Sequence, residues 1–393
     1  MKRPARILIA LLVILCLHAA AASSIRAESS IRAETSGLTR GAPQIRSMSA
    51  LTFGPDGILF IGDGKGGAVF AVDTNDRKPR GKSEEFELAD LEGKIAARLG
   101  TSPAEIMIHD MAVNPISQNV YMAVSRGRGK WDLRWKLPNH VTDALILMKL
   151  AVDGGAIDVV SLENVPHARK EIPNPVSGEK IHPWMKDVSL RTETITDVVW
   201  SDGTLYVAGL SNEEFAATLW TMSFPFKSDV AATTLEIYHG AHGKFETQAP
   251  IQAFLPYQLN GEKQLLAAYL CTPLVTFKMS DMKNGAHLKG RTVGEFGAGN
   301  YPLDMVVYKK DGAEKLLIAN SNLPFMIVDP ADIARYEGAI TTEVKGYLAG
   351  VKWEPRSGTG ILQMDTLNEK FILGLQRLPS GTVDVVSFDV RWF

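Results

Sequence analysis

Cysteine is almost missing from the 393-residue chain: only Cys16 and Cys271 occur, and Cys16 lies inside an N-terminal apolar run. If that run is lost on export, no intrachain disulfide can form, and stability must come from a packed core. An excess of charge is also missing, with 42 basic residues against 44 acidic ones, which excludes a nucleic-acid-binding footprint. Beyond the N-terminal run no apolar stretch is long enough to cross a bilayer, so no membrane span is expected after leader removal. No Asn-x-Ser/Thr acceptor is present. The G-x-S-x-G, H-E-x-x-H, C-x-x-C-H and Walker patterns are absent as well. This removes the common serine hydrolases, zincins, c-type haem proteins and P-loop enzymes.

What is present begins with Lys2, Arg3 and Arg6, followed by the apolar run Ile7 to Leu17 and the small residues Ala19 to Ser24. That order predicts a signal peptide over residues 1–22, with cleavage after Ala22 or as late as Ala27. A secreted or periplasmic protein follows, and the lack of disulfides and glycosylation acceptors favours a bacterial periplasm. Ser-Ser-Ile-Arg-Ala-Glu then occurs twice in tandem, and residues 23–37 read as a disordered spacer. Residues 38–393 are expected to form one domain.

A repeat organises that domain. Met48-Ser-Ala-Leu-Thr-Phe-Gly-Pro-Asp-Gly-Ile-Leu-Phe-Ile-Gly62 reads as strand, turn, strand, and Val69–Asp73 as a third strand. The pattern returns from His109, Thr196, Ile251, Leu303 and Leu362, each time with short β-rich runs between turn residues. The polar residues opening the first strands, Ser49, Asp110, Asp197, Gln252, Asp304 and Gln363, lie 52 to 87 residues apart. A propeller blade needs about 40–50 residues, so the reading is all-β, a six-bladed β-propeller. The long gap contains a proline-rich insertion at 151–193, where a seventh blade could hide. Helix is confined to a short insertion near 88–99, and Asp329–Tyr336 forms one or two turns. Leu38–Arg46 beside Val383–Val390 is the expected ring closure.

Inner strands line the channel of a propeller, so the six marker residues should meet at one axis. Asp110, Asp197 and Asp304 would then form a candidate divalent metal site, Ca²⁺ being suited to oxygen ligands, with Ser49, Gln252 and Gln363 as ligand-binding neighbours. The alternative is that each acidic or amide side chain caps a loop by accepting backbone N–H groups of its own or the next blade. His109 and Asp197 are the candidate catalytic residues. His239-Gly-Ala-His242-Gly-Lys-Phe-Glu246 could bind Zn²⁺ or Cu²⁺ if His109, His140 or His182 converged on it. Gly62–Gly67 reads as a hairpin turn, Ser125–Trp131 as a basic inter-strand loop, and Cys271 as a buried structural thiol.

Leu51-Thr-Phe-Gly-Pro-Asp-Gly-Ile-Leu-Phe-Ile-Gly-Asp63, echoed by Val198–Gly209, resembles the secreted propellers of the NHL, SMP-30/gluconolactonase and strictosidine-synthase-like group. That resemblance implies a propeller and, in its lactonases, an axial divalent metal; the lactonase ligand set is not matched in full, since no Glu stands in the first blade. The leading expectation is an exported propeller binding a small molecule, peptide or partner protein at the channel mouth. A metal-dependent hydrolase of the lactonase type is the alternative. An oxidoreductase or its partner subunit is the third, without a cofactor motif to support it.

Overall fold

A computed structural model describes residues 37–126, 145–183, 188–346 and 348–393. They form a six-bladed β-propeller. The leader, all but the last residue of the spacer, His140 and most of the Ser125–Trp131 loop lie outside the described residues.

Each blade is an antiparallel sheet whose first strand lies innermost. Blade 1 contains Ala50–Phe53, Ile58–Asp63, Ala68–Asp73 and, much later in the chain, Val165–Glu171. Blade 2 runs through Ile106–Val113, Val120–Arg126, Leu145–Leu150 and Ile157–Val159. Blade 3 has Asp197–Ser201, Thr204–Leu210, Ala217–Ser223 and Ala231–His239, and blade 4 has Ile251–Leu259, Glu262–Tyr269, Pro273–Lys278 and Arg291–Glu295. Blade 5 consists of Pro302–Lys310, Ala313–Asn320, Phe325–Val328 and Trp353–Arg356. Blade 6 consists of Ile361–Thr366, Phe371–Arg377 and Val383–Asp389.

These strands read as near-continuous apolar runs because both faces of each blade are covered. In Ile58–Asp63, Leu59 and Ile61 pack toward blade 2 while Ile58 and Phe60 pack toward blade 3. The strand period of two therefore sends alternate residues into different cores. Six apolar clusters among the described residues fill the seams 1–2, 2–6, 6–5, 5–4, 4–3 and 3–1. The first hairpins of blades 3, 4 and 5 turn on Asp202-Gly203, Asn260-Gly261 and Asp311-Gly312, with positive φ at both residues. That is the two-residue turn whose twist matches the flanking strands.

The order of blades around the ring is thus 1–2–6–5–4–3, and it corrects two expectations. Leu38–Arg46 does not close the ring beside Val383–Val390: Thr39–Gly41 pairs with Val165–His167 on the outside of blade 1. Blade 6 is instead completed by Leu88, whose N–H and C=O bond Val385 (3.0 and 2.8 Å), and by Phe86, whose N–H and C=O both engage the Ser387 hydroxyl at 2.8 Å. Nor is 151–193 an insertion or a seventh blade, since Ile157–Val159 and Val165–Glu171 supply the outer strands of blades 2 and 1. Blade 1 is split in sequence, and all of blade 2 lies between its third and fourth strands.

The helix of the 88–99 segment, α1, covers Leu91–Leu99. It begins after Asp90, which accepts the Gly93 N–H at 3.2 Å, and ends at Gly100 with φ +66°. A second helix, α2, spans Pro330–Arg335 behind the Asp329 cap.

Candidate functional site

The six marker residues meet. Ser49, Asp110, Asp197, Gln252, Asp304 and Gln363, with His109, Thr196, Ala253 and Leu303, line one cavity of about 80 Å³. Around the ring the order is Ser49, Asp110, Gln363, Asp304, Gln252, Asp197, so carboxylates and neutral oxygen-bearing side chains alternate. The space suits an ion with a few waters and lies well below the 300–1,000 Å³ typical of a drug-sized ligand.

Strict alternation along a strand would send only one of two successive residues to the axis. β-Bulges at Ile108/Asp110, Ile251/Ala253, Pro302/Asp304 and Ile361/Gln363 break that alternation at the mouth ends of four inner strands. Consequently His109 with Asp110, Gln252 with Ala253, and Leu303 with Asp304 face the same cavity.

Each axial carboxylate is also a latch. Asp110 accepts the N–H of Met111 (2.8 Å) and of Leu51 in blade 1 (2.6 Å). Asp197 accepts from Val198 (2.7 Å) and from Phe254 in blade 4 (3.1 Å), and Asp304 from Met305 and from Met364 in blade 6, both at 2.8 Å. Asp365, which sequence reasoning passed over, repeats the motif by accepting from Thr366 and from Val113 in blade 2 at 2.7 Å. The backbone-capping reading of these residues is therefore realised, and convergence on the axis is realised with it.

Burial raises Asp110, Asp197 and Asp304 well above the usual carboxylate range, and each is raised further by another carboxylate of the set. The surface they retain faces the cavity. The backbone donors act the other way and do not offset this. No Lys or Arg is among the described residues that line the cavity. His109 is held neutral at pH 7, its pKa lowered to about 4 by burial and by Lys65, and its Nε2 pairs with the Ser125 hydroxyl at 2.8 Å. Gln363 donates to the His109 carbonyl at 3.1 Å and Gln252 to the Pro250 carbonyl at 3.3 Å, which leaves their amide oxygens as potential ligands. An all-oxygen set of this kind fits a hard divalent cation.

His239 and His242 are not on the axis. His239 ends the outer strand of blade 3 and His242 follows it; Glu246 takes Nδ1 of both rings, at 3.0 Å and 2.8 Å, and the ring centroids lie 3.9 Å apart. The residue completing this cluster is Cys271; His109 lies at the axis. Cys271 is half-buried and not enclosed as expected, and it accepts the Gly299 N–H at Sγ (3.3 Å). Its thiol is shifted down by His239 and by that N–H against the effect of burial. Burial pulls the His239 imidazole down, but Cys271, Glu246 and Glu295 outweigh it and lift it to about 9. Cys271 and Thr272 have φ +64° and +61°, a strained pair for non-glycine residues, Thr being β-branched. The Cys271 N–H to Asn300, the Thr272 N–H to Tyr269 and the Thr272 hydroxyl to Gly297, each at 2.9 Å, hold them there. A cysteine followed by Thr-Pro at a strand end was the available sequence signal, and only the fold brings it to His239.

No family model and no curated protein matches the chain. Among solved structures it is similar to an oxidoreductase (glucose dehydrogenase) from Thermus thermophilus, at 12% identity and TM-score 0.30, covering 89% of this chain and 98% of that one. Kuenenia stuttgartiensis hydrazine synthase is similar over the same shares at 12% identity and TM-score 0.28. Chaetomium thermophilum Raptor matches at 11% identity and TM-score 0.32, over 93% of this chain and 26% of its own.

Proposed function

We propose that this protein is an exported propeller that binds a small anionic molecule at the channel mouth, over a divalent cation held by Asp110, Asp197 and Asp304. The observation that carries the reading is three half-buried carboxylates, each raised well above its ordinary pKa, around one small cavity with no Lys or Arg among the described residues that line it. Like charges so placed either retain protons or share a cation, and oxygen-only donors favour Ca²⁺ over transition metals. Ser49, Gln252 and Gln363 complete the oxygen ring. Lys65, desolvated near the mouth and acting on His109, supplies positive charge for an anionic ligand group. The basic, apolar and small-residue order of residues 2–24 supports export.

The test is Ca²⁺ titration of EDTA-stripped protein by calorimetry. One tight site per chain is expected, weakened at least tenfold in Asp197→Asn and Asp304→Asn; absence of Ca²⁺ and Mg²⁺ binding would sink the reading. A metal-dependent hydrolase is the second reading, favoured by one observation: His109 stands neutral in the cavity wall beside Asp110. A cation held there would polarise an ester carbonyl, and His109 or Asp197 would take the proton of the attacking water. Cation-dependent hydrolysis of lactones, lost in His109→Ala, separates the two.

A further inference from the structure

A second cluster lies away from the axis, where the loop after blade 3 meets the turn of Cys271 in blade 4. One ligand atom from each of His239, His242 and Cys271 lies within 4.8 Å of the other two. We propose that these three side chains bind a borderline-soft transition metal, Zn²⁺ foremost, with Glu246 as the carboxylate that aims both imidazoles. The proposal is independent of the axial cation, because it uses nitrogen and sulfur donors where the axis offers oxygen.

Four observations carry it. Glu246 engages Nδ1 of both histidines, so Nε2 of each ring is available as a ligand, and a carboxylate on the far nitrogen is the usual partner of a metal-bound imidazole. The His239 side chain is 3% exposed, and its Nε2 faces Cys271 with no partner of hydrogen-bonding geometry. Glu295 is buried beside the cluster with Oε1 on the Gly240 N–H and Oε2 unpartnered. The His242 side chain, by contrast, is 44% exposed, which gives an ion a way in.

A cysteine–histidine nucleophile pair is the competing explanation. It would need Cys271, His239 and Glu246, and it leaves unexplained why the His242 ring lies against His239, tilted by 39°, and shares the same carboxylate. Metal ligation accounts for both rings at once. Two imidazoles and a thiolate suit Zn²⁺ or Cu²⁺ and disfavour Ca²⁺ and Mg²⁺. Three protein ligands leave a fourth position for water, a small ligand or Glu295.

The experiment uses the full chain after chelator treatment. Stoichiometric Co²⁺ should produce a thiolate-to-metal charge-transfer band in the near ultraviolet, displaced by Zn²⁺. Cys271→Ser should abolish the band, and Glu246→Gln should weaken binding about 10–100-fold. Asp304→Asn should leave the band intact while weakening the axial cation at least tenfold, so failure of either site is read separately. Should Cys271→Ser fold poorly, alkylation of the wild-type chain gives the answer: saturating Zn²⁺ should protect Cys271 from iodoacetamide. A Co²⁺ complex without the thiolate band would overturn the proposal. So would equal alkylation rates with and without Zn²⁺, which would mark Cys271 as a nucleophile.

Discussion

At the scale of single residues, the axial carboxylates do two jobs with opposite electrostatic preferences. As latches they accept two backbone N–H groups each, which favours the charged form, whereas burial and mutual proximity favour the neutral form. Asp365 is the simplest of the set to test because it lies outside the cavity lining. Burial lifts it from 3.8 to about 6 against the pull of Val113 and Thr366. The folded state therefore binds this proton more tightly than the unfolded chain. The stability tied to it is complete below about pH 4, falls as pH rises toward 6, and is gone above, a change of roughly 3 kcal/mol. Urea midpoints of metal-free protein should decline across that window, and Asp365→Asn should flatten the decline. An unchanged slope would show that Asp365 titrates normally.

At the scale of elements, the closure of blade 6 by residues 86–88 is the least conventional part of the architecture. Ser387 satisfies both backbone groups of Phe86, and the three residues around it are otherwise held mainly by the Leu88–Val385 bridge. Ser387→Ala strands a buried N–H and C=O, so it should cost about 1–3 kcal/mol in urea unfolding and expose residues 74–90 to proteolysis. A loss below about 0.5 kcal/mol would show that the bridge alone closes the blade. Gly312, with φ +80° in the Asp-Gly turn of blade 5, should lose about 1 kcal/mol as Gly312→Ala by the same measurement, and no loss would show the turn relaxing to accept a side chain.

The inner three strands of every blade were legible in the sequence, because covered sheets write apolar runs and two-residue turns write Asp-Gly or Asn-Gly. The outer strands were not: Val-Pro-His-Ala-Arg-Lys-Glu at 165–171 is half-exposed, polar and separated from its blade by an entire neighbour. The marker ring was legible as a repeat. Its bulges were not, since a bulge is a property of pairing and leaves no residue signature at His109 or Gln252. The half-burial of Cys271 was not legible either, because its neighbour His239 belongs to another blade.

At the scale of the whole molecule, the three carboxylate latches join blades 1 to 2, 3 to 4 and 5 to 6, all in the same rotational sense. A cation at their centre would tie the three pairs to one point. Saturating Ca²⁺ at a hundred times its Kd should then stabilise the fold by about 2.7 kcal/mol, read as a rise in Tm that EDTA reverses. Cations that cannot enter the ring should leave Tm unchanged. The most direct measurement is a crystal structure grown in Ca²⁺ with an anomalous difference map. The account predicts a peak on the propeller axis at about 2.3–2.6 Å from oxygens of Asp110, Asp197 and Asp304. Water alone in that cavity, at a Ca²⁺ concentration that saturates oxygen sites elsewhere, would contradict it.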